Sequence, residues 1–382
     1  MNRIDEIISV LDADNSLELG QSPWHKEIDH DRYEIRQVDW GRLFPNSKPQ
    51  DRSPDNDWEI YGDDWEIDSE TPYEIFEEGS DQDASKPEEW DVCAWYQPIH
   101  FHGYDWGIFI KEECLKRLAK KIYIETGIVG ASLNSSQRTI FTKGLLRTAF
   151  SVFYHHELYH HKTECLGLRL HAVQRRSSYL PYFNNVYKVA AGTDLQLEEA
   201  LANAFMYRDV GESLWVSDSL KKAAQSYLQK SFPRNPPGYR LAPQYLTKKN
   251  FENGQHQLFS KVLEGLQNPT HHQLYWNMAP RINHAFLNIN SDIWTIVPRS
   301  KRSVVPVTAT PLRTCSSDEI IKVCGKHGYN VTPGGKGSHI KLKKSGSPTL
   351  IVPGNRDNVS PGVTKNILAS LGYKINQLPD LL

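Results

Sequence analysis

What this sequence lacks narrows the reading first. It has no run of about 18 apolar residues, so a membrane-spanning helix is not expected. Its first residues, MNRIDEIISVLDADNSLE, are acidic. They contain no apolar stretch followed by a small-residue cleavage site, which predicts no secretory signal and a cytoplasmic location. Cysteine is scarce and scattered. Cys93, Cys114, Cys165, Cys315 and Cys324 form no C-x-x-C pair, which argues for reduced thiols and against a cysteine zinc site. What remains is ordinary globular material: 382 residues, 39% hydrophobic and 11% aromatic. That length suffices for two or three domains.

A net charge of -2 conceals a strong asymmetry. Residues 51–91 are dense in Asp and Glu, with Arg52 and Lys86 as the basic exceptions. Residues 301–382 hold 12 Lys/Arg against 4 Asp/Glu. One end suits an anionic partner, and the other resembles an anion. The acidic segment repeats Asp57-Trp58-Glu59-Ile60 as Asp64-Trp65-Glu66-Ile67, followed by Tyr73-Glu74-Ile75. A purely disordered acidic tail would be poorer in aromatics, so strands about a turn at Gly62-Asp63 are expected.

Further along, residues 80–87 read as a loop. Tyr104 to Ile110 reads as a strand and Lys111 to Tyr123 as an amphipathic helix. Ile140 to Glu164 and Leu195 to Arg208 carry helical periods. Pro233, Pro236 and Pro237 break the chain, and the region 210–297 gives little beyond helical and aromatic character. Residues 298–314 hold three prolines and no helical period, as an extended linker would. The expected fold class is therefore a multidomain α+β protein. Its parts are an acidic Trp-containing segment (1–90), a mainly helical domain (91–297), the linker (298–314) and a small basic module (315–382).

Chemistry concentrates in Phe153-Tyr154-His155-His156-Glu157-Leu158-Tyr159-His160-His161. Of these histidines, His156 and His160 stand four apart, which puts both on one helix face within reach of one metal. Glu157 projects beside them, placed to take a proton from water activated by that metal. Leu146, Ala149, Phe150, Phe153, His156, Glu157 and His160 form one stripe. Burying those polar groups without partners would be costly, and a cation offsets the cost. An open zinc site needs a third protein ligand. Leu197 to Phe205 offers Glu199, on the same helix side as Ala202 and Asn203, with Glu198 as the alternative. His155 and His161 are expected to face solvent or support the ligands. His100 and His102 read as alternation on a strand edge.

His-Glu-x-x-His followed by Glu-x-x-Ala-Asn resembles the zincin metallopeptidases, and within them the ImmA/IrrE-like arrangement. The resemblance covers about 60 residues. It implies a zincin-like fold, zinc held by His156, His160 and Glu199, Glu157 as general base, and a protein or peptide substrate. Another divalent ion could occupy the same ligands.

Residues 315–373 parse as α-β-β-β-α. Ser316-Ser317-Asp318-Glu319 is a capping box, and Gly325 ends that helix. Tyr329 to Thr332, His339 to Lys343 and Pro348 to Val352 read as strands, with a turn at Gly334 to Gly337. Ser360 and Pro361 open the last helix. In the middle strand Ile340 and Leu342 point one way, and His339, Lys341 and Lys343 the other. An imidazole beside two cations suits RNA: the lysines hold phosphates and the histidine moves a proton.

This stretch resembles the HicA toxins, small mRNA interferases with a double-stranded RNA-binding-like fold. The resemblance rests on Lys326-His327-Gly328-Tyr329, Gly337-Ser338-His339, Val352-Pro353 and the helix from Gly362 to Gly372. It implies endoribonuclease activity at His339 without metal, an antitoxin partner, and RNA contacts from Lys336, Ser338, Lys341, Lys343 and Arg356. Where relatives carry a second histidine after Val-Pro, this chain has Gly354-Asn355-Arg356. The combined expectation is a toxin-like ribonuclease fused to a metallopeptidase-like domain. The alternative is a zinc metallopeptidase whose C-terminal module only binds nucleic acid or an antitoxin-like partner. Opposed charge further suggests that residues 51–91 cover the basic RNA face, although a solvated acidic surface is the plainer expectation.

Overall fold

The computed structural model describes residues 3–13, 28, 32–45, 65–76, 90–174, 182–187, 192–262, 289, 292–308, 315–332, 339–357, 359–374 and 377–382. Helix α1 (Arg3–Ala13) and strand β1 (Tyr33–Gln37) come first, then helix α2 (Glu70–Phe76). Strands β2 (Ala94–Gln97) and β3 (Gly107–Lys111) follow, and helix α3 (Glu112–Thr126) leaves β3 directly. Gly127 ends α3 in the left-handed region (φ 68°), where a side chain would be strained. Beyond lie α4 (Ser135–Gln174), α5 (Leu197–Glu212), α6 (Asp218–Ser231), α7 (Lys248–Val262) and β4 (Ile293–Pro298).

Strands β2, β3 and β4 are apolar almost without alternation, and all but the last residue of β3 and β4 are buried. A strand covered on both faces has that pattern. The sheet order is β1-β4-β3-β2, with β3 and β4 parallel and the outer pairs antiparallel. On one face Ile108, Ile110 and Ile293 join the main core, which includes Leu145, Phe150 and Phe153 of α4. On the other, Trp95, Phe109, Trp294 and Ile296 form a small cluster with Trp95 stacked on Phe109. Strand β1, drawn from the segment read as 1–90, is thus part of the sheet of the central body.

Helix α4 starts where Asn134 and Gln137 exchange side-chain bonds to each other's backbone N–H (2.9 and 3.0 Å). That reciprocal cap satisfies two orphan donors. The helix is longer than its sequence pattern predicts, running 40 residues. No helix among the described residues is long and apolar enough to cross a membrane.

The C-terminal module matches its expected order. Helix α8 (Ser317–Lys326) carries the complete Ser316–Glu319 capping box. Strands β5 (Asn330–Thr332), β6 (His339–Lys343) and β7 (Leu350–Pro353) form an antiparallel sheet with β6 central. Helix α9 (Pro361–Ser370) is capped by Ser360, whose hydroxyl accepts from Val363 N. Ile320, Val323, Val363, Ile367 and Leu368 are buried, as are Leu342, Leu350, Ile351 and Val352 of the sheet. The proposed turn at Gly334 to Gly337 lies outside the described residues, as do Lys336 and Ser338.

The module is fastened to the rest of the chain. Ser360 donates to Asp105, and Asn366 Nδ2 donates to Tyr104 O (3.1 Å). Asp5 of α1 accepts from Tyr104 (2.5 Å) and from Ser370 (2.8 Å), while Ile4, Ile7, Ile8 and Leu11 are buried. Residues 299–308 open with a turn, Lys301 N donating to Pro298 O (2.9 Å), and are anchored. Ser303 and Val304 N bond the buried Glu112, and Val307 bridges Val38.

Several expectations are corrected. Of the acidic segment, Asp57 to Asp64 lie outside the described residues, and residues 65–68 form no strand. Trp65 is buried under the Arg147 guanidinium (4.9 Å) and donates to Val304 O (3.3 Å). Glu74 pairs with Lys116 and Lys301, and Glu66 with Arg302. The described part of 51–91 therefore packs on the central body rather than on the basic strand. His100 and His102 sit in a buried helical turn, Ile99–His102, and not on a strand edge. Glu164 accepts from Ile99 N and His100 N, so a distant carboxylate caps that turn. Cys93 and Cys114 form a disulfide between the start of β2 and α3, where reduced thiols are expected; Cys165, Cys315 and Cys324 are buried and form no disulfide among the described residues.

Candidate metal centre and nucleic-acid face

Helices α4 and α5 pack side by side. Ala202, on the Glu199 side of α5, is fully buried, so a small residue stands beside the carboxylate that reaches across. His156 Nε2 and His160 Nε2 lie 3.3 Å apart. Glu199 Oε2 lies 3.4 Å from each of them. A tetrahedral cation bonded at about 2.0–2.1 Å to nitrogen and oxygen sets its ligand atoms about 3.3–3.4 Å apart. The three edges observed have that length, so the residues fit a divalent ion such as zinc. These three residues also form a group able to hold a metal.

Surroundings favour positive charge at this point. Burial alone would push His160 toward neutrality, but Glu199 and Glu198 outweigh it and hold the imidazole well above its ordinary range. Burial would likewise raise Glu199, but His160 and His156 outweigh it and keep the carboxyl ionised. Glu198 Oε1 lies 3.5 Å from His160 Nδ1, the nitrogen away from the cluster. It therefore sits behind the His160 ring, where the partner of a metal-bound imidazole would sit, which separates its place from that of Glu199. The Tyr239 ring stacks on His156 (5.8 Å between centroids, 13°), and its carbonyl accepts from Asn203 Nδ2 (3.2 Å). Neither Tyr239 nor Asn203 stands out as a ligand neighbour in the sequence, although the Glu-x-x-Ala-Asn string contains Asn203. Glu157 follows His156 and is buried.

The flanking histidines lie outside this group. His155 Nδ1 donates to Ser151 O (2.7 Å), and its Nε2 lies 3.9 Å from Asp209. Burial, with Lys162 beside it, pushes His155 down to about 4, against the Ser151 bond. His161 is fully buried, bonded to Tyr96 Oη (3.0 Å) and stacked on Trp106. Neither faces solvent freely: His161 helps tie α4 to the sheet.

The second site lies on the C-terminal sheet. His339 opens β6 opposite Pro353, and Lys341 and Lys343 follow on alternate positions. Leu342 is buried and Lys343 exposed, as the alternation requires. Arg356 N donates to Ser317 Oγ (3.0 Å). Its charge also bears on Asp105, which burial pushes up to about 7 against the Ser360 bond and Arg356. What the sequence hides is the occupant of the lysines. Asp12 of α1 accepts from Lys341 Nζ (2.5 Å), lies 3.3 Å from Lys343 Nζ, and accepts from Thr349 Oγ1 (3.4 Å).

No curated protein and no solved structure matches the chain. Residues 317–373 match a protein family described as HicA toxin of bacterial toxin-antitoxin; the match spans α8 to the end of α9 and does not extend to the helices that hold His156, His160 and Glu199. The C-terminal part of this chain is thus a HicA-like module.

Proposed function

We propose that the protein acts on RNA through its C-terminal module, with His339 as the proton-transferring group. The observation that carries this is the family match over the whole α-β-β-β-α module, which contains the strand bearing His339, Lys341 and Lys343. In this reading the lysines and Arg356 hold phosphates, aided by Lys336 and Ser338, which precede the strand. His339 takes the proton of a ribose 2′-hydroxyl while the 2′ oxygen attacks the adjacent phosphorus. The bond from phosphorus to the 5′ oxygen breaks, and that oxygen leaves with the electron pair and takes a proton from solvent. The products are a 2′,3′-cyclic phosphate and a 5′-hydroxyl end. An antitoxin-like protein is the expected regulator.

The test is incubation of the purified protein with total RNA, with and without chelator, beside His339→Ala. Cleavage that survives chelation and is lost in the variant supports the reading. Cleavage indifferent to His339, or none, sinks it and leaves a binding module.

A second reading is favoured by the three matched edges of the His156, His160 and Glu199 cluster. In it these residues hold a divalent ion such as zinc, in a zincin-like metallopeptidase site acting on a protein or peptide. An ion bound there supplies Lewis-acid activation of water and polarisation of a peptide carbonyl. Glu157 accepts the proton of the attacking water and returns it to the leaving amine. Glu198 fixes His160 from behind, and Tyr239 fixes the ring plane of His156. The two readings are compatible on one chain.

A further inference from the structure

The carboxylate of Asp12 sits where a phosphate would be expected. Three donors converge on it: Lys341 Nζ, Lys343 Nζ and Thr349 Oγ1, from the central strand and the residue before β7. Two cations and a hydroxyl around one small anion make a ready site for a phosphodiester oxygen pair. We propose that Asp12 masks this phosphate site in cis, so that single-stranded RNA binds the module by displacing the last turn of α1. The proposal rests on the reading of the module as RNA-acting and adds its regulation.

Several observations support it. Asp12 stands in the last turn of α1, whose first turn already holds Asp5 and Glu6. A negative charge at a helix C-terminal end is disfavoured by the helix dipole, so the stability of α1 itself does not account for Asp12. The two lysines do: they hold its carboxyl below the ordinary range although burial acts to raise it. The Asp12 side chain is 9% exposed, while Lys341 is 25% and Lys343 52% exposed. A polyanion can therefore reach the lysines before it dislodges the carboxylate.

The first two turns of α1 are a firm anchor. Ile4, Ile7 and Ile8 are buried, and Asp5 is bonded to Tyr104 and Ser370. Release of the mask thus requires movement of one side chain and the turn that carries it, with the anchor left in place. In the acidic segment at 65–76, Glu74 engages Lys116 and Lys301, and Glu66 engages Arg302, so these two carboxylates are held on the central body.

The test uses the full chain and a labelled single-stranded oligoribonucleotide of mixed sequence at low salt. Asp12→Asn keeps shape and removes charge, and it should tighten binding about fivefold, the scale of one partly exposed charge pair. Its unfolding midpoint, checked against the parent, separates a loosened fold from an unmasked site. In the parent, RNA should speed amide exchange in the last turn of α1 and leave the first turns unchanged. Lys341→Ala with Lys343→Ala should weaken binding and erase the effect of Asp12→Asn, since the mask then covers nothing. If Asp12→Asn binds like the parent while the lysine variant binds weakly, the mask is overturned and the RNA reading stands. If the lysine substitutions leave affinity unchanged in the Asp12→Asn chain, the RNA reading falls and the mask falls with it.

Discussion

The two candidate sites are built in opposite ways. The His156, His160 and Glu199 cluster lies between two long helices, and its charges face one another with little solvent between them. The His339, Lys341 and Lys343 strand is the central one of a small sheet, and a carboxylate from a distant helix answers its charge. In the first, polar groups converge on a point that suits a cation. In the second, cations spread along a strand that suits a polyanion. Burial makes the first site expensive to build without an occupant, and exposure makes the second cheap to build and easy to cover.

The comparison breaks most visibly if the buried cluster binds no metal. Zinc added to chelator-treated protein should raise the unfolding temperature, because binding to the folded state alone stabilises it. The gain is about 4 kcal/mol at a thousandfold excess over Kd. Glu199→Gln should abolish the shift and the bound metal measured by mass spectrometry. Glu198→Gln should keep the site but weaken it by about ten- to a hundredfold, as loss of an orienting partner does. An unchanged midpoint with zinc in the parent chain would remove the second reading. Equal losses in the two Glu variants would mean that the roles of Glu198 and Glu199 are not distinct.

How much of this was legible before the structure depends on how local each signal is. The His-Glu-x-x-His helix, its partner helix, the capping box at Ser316 and the alternation of His339 to Lys343 are written within a few residues each. They appear where expected. The pairing of β1 with β4 joins Tyr33 to Pro298, and the mask joins Asp12 to Lys341 across 329 positions. Nothing local in α1 distinguishes Asp12 from a solvated acid. His100 and His102 mislead for the same reason. Their alternation reads as a strand, but Glu164, far along the chain, caps them into a helical turn. The Cys93–Cys114 bond likewise depends on α3 packing beside β2.

The boundary between the two regions should respond to pH. Asp105 of the central body meets Ser360 of the module, and burial raises its carboxyl to about 7 from an ordinary 3.8. The folded protein then binds a proton that the unfolded chain releases near pH 4. Stability from this group is fully present below the unfolded value and is lost as pH rises through about 7. The difference is at most about 4 kcal/mol for a shift of about 3 pH units. Asp105→Asn, which cannot ionise, should flatten this part of the profile. The test is denaturant unfolding of both chains between pH 5 and pH 8, each relative to its own pH 5 value, a window that holds about 3 kcal/mol of the difference. Parallel profiles would show that Asp105 is not the group that couples body to module.

The smallest effect asks whether the two regions fail separately. Ser316 and Glu319 satisfy each other's backbone N–H at the start of α8, within the module and away from the α4–α5 contact. Ser316→Ala should cost about 1 kcal/mol, the usual worth of such a cap. If the module can open by itself, amide exchange should quicken in α8 and the strands beside it while α4 and α5 stay protected. The zinc-induced rise in midpoint should also keep its size. The contacts of Ser360, Asn366 and Ser370 with Asp105, Tyr104 and Asp5 argue the other way, since they tie α9 to both α1 and the body. Faster exchange spread evenly over both regions would mean that those contacts make one cooperative unit. A substitution in the C-terminal module would then be felt at the His156, His160 and Glu199 cluster through stability alone.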